Sequence, residues 1–142
     1  MRALLDVNVL IALLDADHVL HARAVQWFAD HGKDGWASCP ITQNGCVRIM
    51  ASAGYPNALP VRAVIERLRG ATQAPQHEFW PDTVSLLDAR VADPMRIHGP
   101  RQLTDVYLLA LAVSRGGRFV TFDVAVPREA AKGAERRHLL VL

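Results

Sequence analysis

Short apolar runs alternate with segments of helical periodicity along this chain of 142 residues. The apolar runs predict strands in residues 3–7, 36–39, 77–80 and 118–122, with a short final strand in 138–142. Apolar positions three and four residues apart predict helices in residues 9–14, 22–31, 41–52, 61–68, 83–92, 103–114 and 125–132. Pro40 suits a helix start, and Asp82 is the expected N-cap of the helix at 83–92.

This alternation of strands and helices predicts an α/β fold. Its expected form is a three-layer domain, with a mostly parallel central sheet of about five strands and helices on both faces. The length fits a single domain spanning residues 1–142. In open parallel sheets, ligands bind beyond the carboxyl ends of the strands, where the strand order reverses. Functional residues are therefore expected at that edge.

The composition is that of a globular, folded protein, with 51% apolar and 21% charged residues. Cys39 and Cys46 match neither a CxxC nor a zinc-finger spacing, so they are expected to be free thiols in a reducing compartment. Asp6 and Asn8 interrupt the apolar N-terminal run, and no small-residue cleavage site follows it. No apolar run reaches the roughly 18 residues that span a membrane. We expect a soluble cytoplasmic protein without a membrane segment.

Three aspartates lie at chemically informative places in these elements. Asp6 ends the first apolar strand, with Asn8 two residues later, and it can be read as a costly buried acid or as a simple helix cap. Asp105 opens a strongly apolar helix, where an acid is also favoured by the helix dipole. Asp123 ends the fourth strand, where acids commonly form turns. Each residue alone therefore has an ordinary structural explanation.

Taken together, the three aspartates indicate a metal site. Asp6 and Asp123 follow parallel strands, and Asp105 opens the helix just before the second of those strands. Carboxylates that converge raise one another's pKa values, and a hard divalent cation such as Mg²⁺ or Mn²⁺ relieves that conflict. Such a cation can orient a phosphate and supply a hydroxide, so hydrolysis of phosphodiester bonds is the expected chemistry. His18 and His21 lack the further ligands that a zinc site needs.

The charge distribution adds a second indication. Residues 1–89 hold seven Lys/Arg and nine Asp/Glu, whereas residues 90–142 hold nine and five. A basic second half suits a polyanion, although an ordinary solvated surface has the same composition. The candidate contacts with such a polyanion form a C-terminal basic segment: Arg128, Lys132, Arg136 and Arg137.

Four segments carry a resemblance to a known family: LLDVNVLIALLD at 4–15, GWASCPITQNGCVRIM at 35–50, RQLTDVYLLALAV at 101–113 and RFVTFD at 118–123. Together with HEFWPDTVSLLDA at 77–89, they resemble the PIN-domain nucleases, specifically the VapC toxins of bacterial toxin–antitoxin pairs. The resemblance implies an endoribonuclease that depends on Mg²⁺ or Mn²⁺. It also implies RNA substrates, tRNA among them. It also implies a cognate VapB-like antitoxin that blocks the site, and a homodimer.

The same resemblance assigns roles to individual residues. Asp6 and Asp105 would be the main metal ligands, Asp123 would complete the site directly or through water, and Asn8 would hold the Asp6 carboxylate. The family's usual site has a fourth acid, a glutamate near the start of the helix after the second strand. No Asp or Glu occurs here between Asp34 and Glu66, and Gln43 best matches that position. This departure raises the question of whether a second metal ion binds.

Two other functions fit parts of the sequence. The segment LLDVNVLI partly resembles the DxD motif of haloacid-dehalogenase-like phosphatases, with Asn8 in place of the second Asp, although those enzymes need further paired acids. A non-catalytic RNA- or protein-binding domain with a decayed site is the other alternative, with Gln43 as the sign of decay.

Overall fold

A parallel sheet of five strands forms the centre of the computed structural model, which describes residues 1–142. The strands are β1 Ala3–Leu5, β2 Trp36–Ser38, β3 His77–Phe79, β4 Arg118–Thr121 and β5 Leu139–Val141. Their order is β3-β2-β1-β4-β5, and every pairing is parallel. The chain builds outward from β1 through β2 to β3 and then adds β4 and β5 on the other side of β1. The strand order therefore reverses between β1 and β4.

Helices cover both faces of this sheet, so the predicted three-layer α/β fold is confirmed. They are α1 Val7–Leu14, α2 His21–His31, α3 Pro40–Met50, α4 Val61–Thr72 and α5 Leu103–Ser114. Side chains on alternate positions of β1 enter two separate apolar clusters, Ala3 and Leu5 in one and Leu4 in the other. The first cluster includes residues of α1 to α4, and the second includes much of α5. Because both faces of the sheet are buried at its centre, the central strand β1 reads as a continuous apolar run.

The junction between β1 and α1 differs from the prediction by two residues. The strand ends at Leu5 instead of continuing to residue 7, and α1 begins at Val7 instead of Val9. The cause is Asp6, whose backbone is extended and whose carboxylate Oδ1 accepts a 2.7 Å hydrogen bond from the Val7 N–H. A side-chain cap at this position starts the helix at once.

The helix predicted at 83–92 is wrong, since this segment forms a series of turns. Ser85 Oγ accepts from the Leu87 N–H, and Asp88 Oδ1 accepts from the Arg90 N–H. These local bonds compete with helical hydrogen bonds. Val84 and Val91 pack against the second apolar cluster, but Leu87 is 96% exposed, so the apolar residues of this segment do not share one buried helical face. Asp82 caps no helix.

The helix predicted at 125–132 is also wrong, because only Arg128–Ala130 forms a single 3₁₀ turn. Asp123 Oδ1 accepts from the Ala125 N–H, and Pro127 provides no N–H for a helical bond. Ala131 instead pairs with Ala92 in an isolated antiparallel bridge. None of the helices in the structure has the length and apolar character that crossing a membrane requires.

Candidate metal centre

Asp6 lies at the carboxyl end of β1, beside the point where the strand order reverses. It is 6% exposed, and both of its carboxylate oxygens accept hydrogen bonds. Oδ1 accepts from the Val7 N–H at 2.7 Å, and Oδ2 accepts from the Thr121 hydroxyl at 2.6 Å. Asp6 is therefore both a helix cap and a buried acid at the expected binding edge, so the two interpretations of this residue are compatible.

The Thr121 hydroxyl connects the ends of β1 and β4. It donates to Asp6 Oδ2, and it accepts from the Asp123 N–H at 3.0 Å and from Asn8 Nδ2 at 3.3 Å. Thr121 is fully buried, so these partners replace the water that the hydroxyl would otherwise bind. Thr121 was not among the predicted site residues. Thr121 and Asp123 are two positions apart at a strand end, a spacing that places both side chains on one face of the strand. This spacing was the signal in the sequence that Thr121 lies beside the acids.

Asn8 reaches the Thr121 hydroxyl from α1. Its spacing of two residues from Asp6 had suggested that it would lie on an extension of β1. Its Oδ1 accepts from the Phe122 N–H at 3.3 Å, while its Nδ2 donates to Thr121. Asn8 thus supports Asp6 mainly through Thr121. Burial raises the pKa of Asp6, whereas the hydrogen bonds from Thr121, Val7 and, to a smaller extent, Asn8 oppose that rise.

Asp105 lies in the first turn of α5 and is only partly exposed. Burial, followed by the negative charges of Asp6 and Asp123, raises the pKa of Asp105 to about 7. The three carboxyl groups therefore lie close enough together for their charges to interact. Asp123 itself is exposed and starts the turn after β4.

The structure thus brings the three predicted aspartates to one edge of the sheet without a balancing positive charge. None of them forms an ion pair, since every ion pair in the protein involves other acids. This donor set fits a hard divalent cation, because carboxylate oxygens are its preferred ligands and each keeps a free lone pair. No group of three His, Cys, Asp or Glu side chains is already closed around a common point, so metal binding requires side-chain adjustment.

Gln43 lies in the first turn of α3, at the same edge of the sheet, but its contacts are with β2. Its Nε2 donates to Ser38 Oγ at 2.9 Å, and Ser38 Oγ is 2.8 Å from His77 Nε2. Gln43 forms no hydrogen bond with any of the three aspartates. It borders a cavity of about 730 Å³, which lies between α3 and α4 and includes none of the aspartates.

The predicted basic segment runs away from the aspartates. Arg136 and Arg137 form the turn before β5, and Leu139 of β5 pairs with Phe119 of β4. Arg137 is therefore roughly 20 Å from Asp123 along the strand direction. Lys132 precedes Gly133, which lies against Val113 near the end of α5 remote from Asp105. Of the four residues, Arg128 is nearest to Asp123 in the chain, and it pairs with Glu129.

The chain is similar to known proteins of one family. The family model described as PIN domain matches residues 3–132. Ribonuclease VapC44 of Mycobacterium tuberculosis is 54% identical over 142 residues, which are the whole of both chains. Ribonuclease VapC39 of the same species is 43% identical over 134 residues, covering 94% of this chain and 96% of that protein.

A solved structure shows the same fold at low sequence identity. It is described as VapBC2 from Rickettsia felis bound to a DNA fragment from their promoter, with a TM-score of 0.56 and 12% identity. The match covers 88% of this chain and 90% of the other. The family match over most of the chain, the two VapC relatives and the acidic edge of the sheet lead to one conclusion: the chain belongs to the PIN-domain family, within its VapC ribonuclease group.

Proposed function

We propose that this chain is a divalent-metal-dependent endoribonuclease, the toxin of a toxin–antitoxin pair, and that Asp6, Asp105 and Asp123 form its metal site. The observation that carries the proposal is the uncompensated charge at the carboxyl ends of β1 and β4, where burial and neighbouring acids raise the pKa of Asp105 to about 7. The relatives named ribonuclease VapC support the choice of RNA as substrate.

Asp6 and Asp105 would bind Mg²⁺ directly, with Mn²⁺ as a substitute. Asp123 would complete the site directly or by way of a water molecule. When bound, the ion would orient the scissile phosphate, stabilise the leaving oxygen and make a water molecule more acidic. The protein's part is to keep the carboxylates in place. The Thr121 hydroxyl and the Val7 N–H fix Asp6 from two sides, and Asn8 fixes Thr121.

Protonation of Asp105 connects this site to pH. Without a cation, the Asp105 carboxyl holds its proton up to a pH of about 7. Both Asp105 oxygens must be free of that proton to serve as anionic ligands, so binding of the cation releases a proton below this pH. RNA cleavage should therefore rise as pH increases toward neutrality.

Gln43 bears on the number of ions. A neutral amide at the place of the family's fourth acid keeps an oxygen donor but lacks the charge that a second divalent ion favours. We propose that one ion binds firmly and that any second ion binds weakly. The PIN-domain match includes the DVN segment, so the phosphatase alternative loses the feature on which it depended.

A protein partner is part of this proposal. Val61 and Ile65 expose apolar surface beside the cavity between α3 and α4, which suits contact with another protein. The expected partners are a VapB-like antitoxin and a second copy of the chain. Cys39 and Cys46 are buried free thiols, in agreement with action in the reducing cytoplasm on RNA, tRNA included. Size-exclusion chromatography with and without the co-expressed antitoxin tests the assembly.

Cleavage of total RNA in the presence of Mg²⁺ or Mn²⁺ tests the catalytic proposal. Asp6→Ala and Asp105→Ala should each abolish cleavage, while Asp30→Asn, an exposed acid on α2, should leave cleavage unchanged. Near-normal cleavage by either alanine variant would remove that residue from the site. RNA binding without any cleavage by the wild-type protein would favour the non-catalytic alternative.

A further inference from the structure

A small cavity of about 330 Å³ opens directly beside Asp6. Ile11 and Ile49 provide apolar walls, and the rings of His18 and Tyr55 border it. Asp6 and Asn8 form the side that faces the acidic cluster. Binding pockets for small molecules are typically about 300–1,000 Å³, so this cavity is at the lower end of that range. It has room for one compact, flat group.

Each of the two rings that border the cavity is held by a hydrogen bond. The Tyr55 hydroxyl donates a hydrogen bond to Asp15 Oδ2, just after α1. His18 Nδ1 accepts from the Leu20 N–H at 3.0 Å. The proton of the neutral His18 ring is therefore on Nε2, and Nε2 has no hydrogen-bond partner within the protein. The cavity thus combines an oriented aromatic ring with a free N–H donor.

The charge around the cavity limits what can enter. Asp6 and Asp15 are acidic, and no Lys or Arg borders the cavity, so a phosphate or another anion would be repelled. The apolar walls and aromatic rings favour a neutral, flat, heteroaromatic group with an acceptor atom. A nucleobase has this chemistry, because every base offers a π-face for stacking and ring nitrogen or carbonyl acceptors.

We infer that this cavity receives the base of the nucleotide adjacent to the scissile phosphate, with Tyr55 as the stacking surface and His18 Nε2 as a hydrogen-bond donor to the base. The inference rests on the proposed ribonuclease function. Asp6 belongs both to the acidic cluster and to the cavity wall, so a phosphate at the cluster places the neighbouring base at the cavity entrance. The two residues would then select the nucleotide at the cleavage site without taking part in the chemistry.

The test uses short RNA oligonucleotides that share one cleavage site and differ only in the bases on its two sides. Wild-type protein with Mn²⁺ should show different kcat/KM values for the four bases on one of those sides. Tyr55→Ala should raise KM about tenfold for the preferred base with a smaller change in kcat, the scale of one lost base–aromatic stack. His18→Ala should reduce the preference among bases, while His18→Gln, which keeps an N–H donor, should restore part of it.

Two control variants separate base recognition from folding. Tyr55→Phe keeps the stacking ring and loses only the hydrogen bond to Asp15, so it should restore most of the KM increase that Tyr55→Ala causes. His31→Ala removes an exposed ring that stacks on Trp27 at the end of α2 and should change neither KM nor preference. Melting curves show whether Tyr55→Ala is folded, and if it is not, the His18 variants decide.

The outcomes distinguish this inference from the function on which it rests. Wild-type cleavage without any base preference, or an unchanged preference in both His18→Ala and Tyr55→Ala, would overturn the base pocket while leaving the ribonuclease in place. Absence of cleavage by wild-type protein with all oligonucleotides and with total RNA would overturn the proposed function, and the base pocket with it. Loss of the preference in the His18 and Tyr55 variants, with retained cleavage, would support the inference.

Discussion

Replacing Asp105 by Asn separates a metal ligand from an ordinary acid at a helix start. In the metal-free protein, burial and then the charges of Asp6 and Asp123 raise the pKa of Asp105 from 3.8 to about 7. The folded state therefore keeps a proton in a pH range where the unfolded chain has lost it. The stabilisation from this proton is complete below a pH of about 4 and is lost as the pH rises through about 7. The Asn variant has no such dependence at this position.

The magnitude follows from the interval between the two pKa values. At about 1.4 kcal/mol per pKa unit, this interval corresponds to about 4 kcal/mol of unfolding free energy before solvent screening is considered. Solvent screening at this half-buried site reduces it to roughly 1–2 kcal/mol. Without metal at pH 8, Asp105→Asn should therefore melt about 3–7 °C above the wild type. At pH 4 the difference should be small, because the folded wild-type carboxyl is then protonated and the unfolded one is still partly protonated.

Metal should reverse this order. A ligand at about 100 times its Kd adds roughly 2.7 kcal/mol to the folded state, a rise in Tm of about 5–10 °C for a domain of this size. The wild type and the exposed control Asp30→Asn should both show this rise with Mn²⁺, and Asp105→Asn should show little. Thermal melts at pH 4 and pH 8, with EDTA and with Mn²⁺ at the higher pH, provide the measurement.

The result that would refute the reasoning is an equal Mn²⁺ shift in the wild type and in Asp105→Asn. If Asp105 only favoured the start of α5, the Asn variant would lose a few tenths of a kcal/mol of dipole interaction and keep its full metal response. A metal-free variant less stable than the wild type at pH 8 would contradict the raised pKa of Asp105.

Two further predictions concern residues at the margins of the site. Gln43→Glu should tighten Mn²⁺ binding in calorimetric titration if Gln43 occupies the place of the family's fourth acid, and unchanged affinity would mean that its contact with Ser38 keeps it out of the metal site. Replacing Arg136 and Arg137 together by Gln should leave the salt dependence of RNA binding unchanged, because both lie at the opposite edge of the sheet. Arg128→Gln should instead reduce the slope of log Kd against log salt by about 0.7 if Arg128 contacts a phosphate. A flatter slope in the double variant would show that RNA reaches the far edge.

The sequence predicted the inner strands of the sheet well because they are buried on both faces. Ala3–Leu5 and Phe119–Val120 are almost inaccessible to solvent, so their apolar character shows directly in the sequence. Segments held by weak local interactions were predicted poorly. At 83–92, the apolar residues suggested a helix, yet Ser85 and Asp88 bond to the nearby backbone and Leu87 remains in solvent.

By itself, the sequence determined the α/β class, the parallel sheet and the three acids at strand and helix ends, since these follow from local patterns of apolar and charged residues. The PIN-domain resemblance was also present in the sequence, and the family match confirmed it. The functions of the individual aspartates remain predictions, although the sequence correctly indicated the edge at which they meet.

Only the tertiary structure decided how those acids are supported and what lies beside them. Thr121 binds Asp6 across 115 positions of sequence, and Tyr55 binds Asp15 across 40, so neither bond has a signature in a local pattern. Local patterns also do not give the distance of Arg136 and Arg137 from the aspartates. That distance arises because the chain runs back beside α5 between β4 and β5. Local periodicity reports which face of an element is buried, whereas contacts between elements depend on how the whole sheet is ordered.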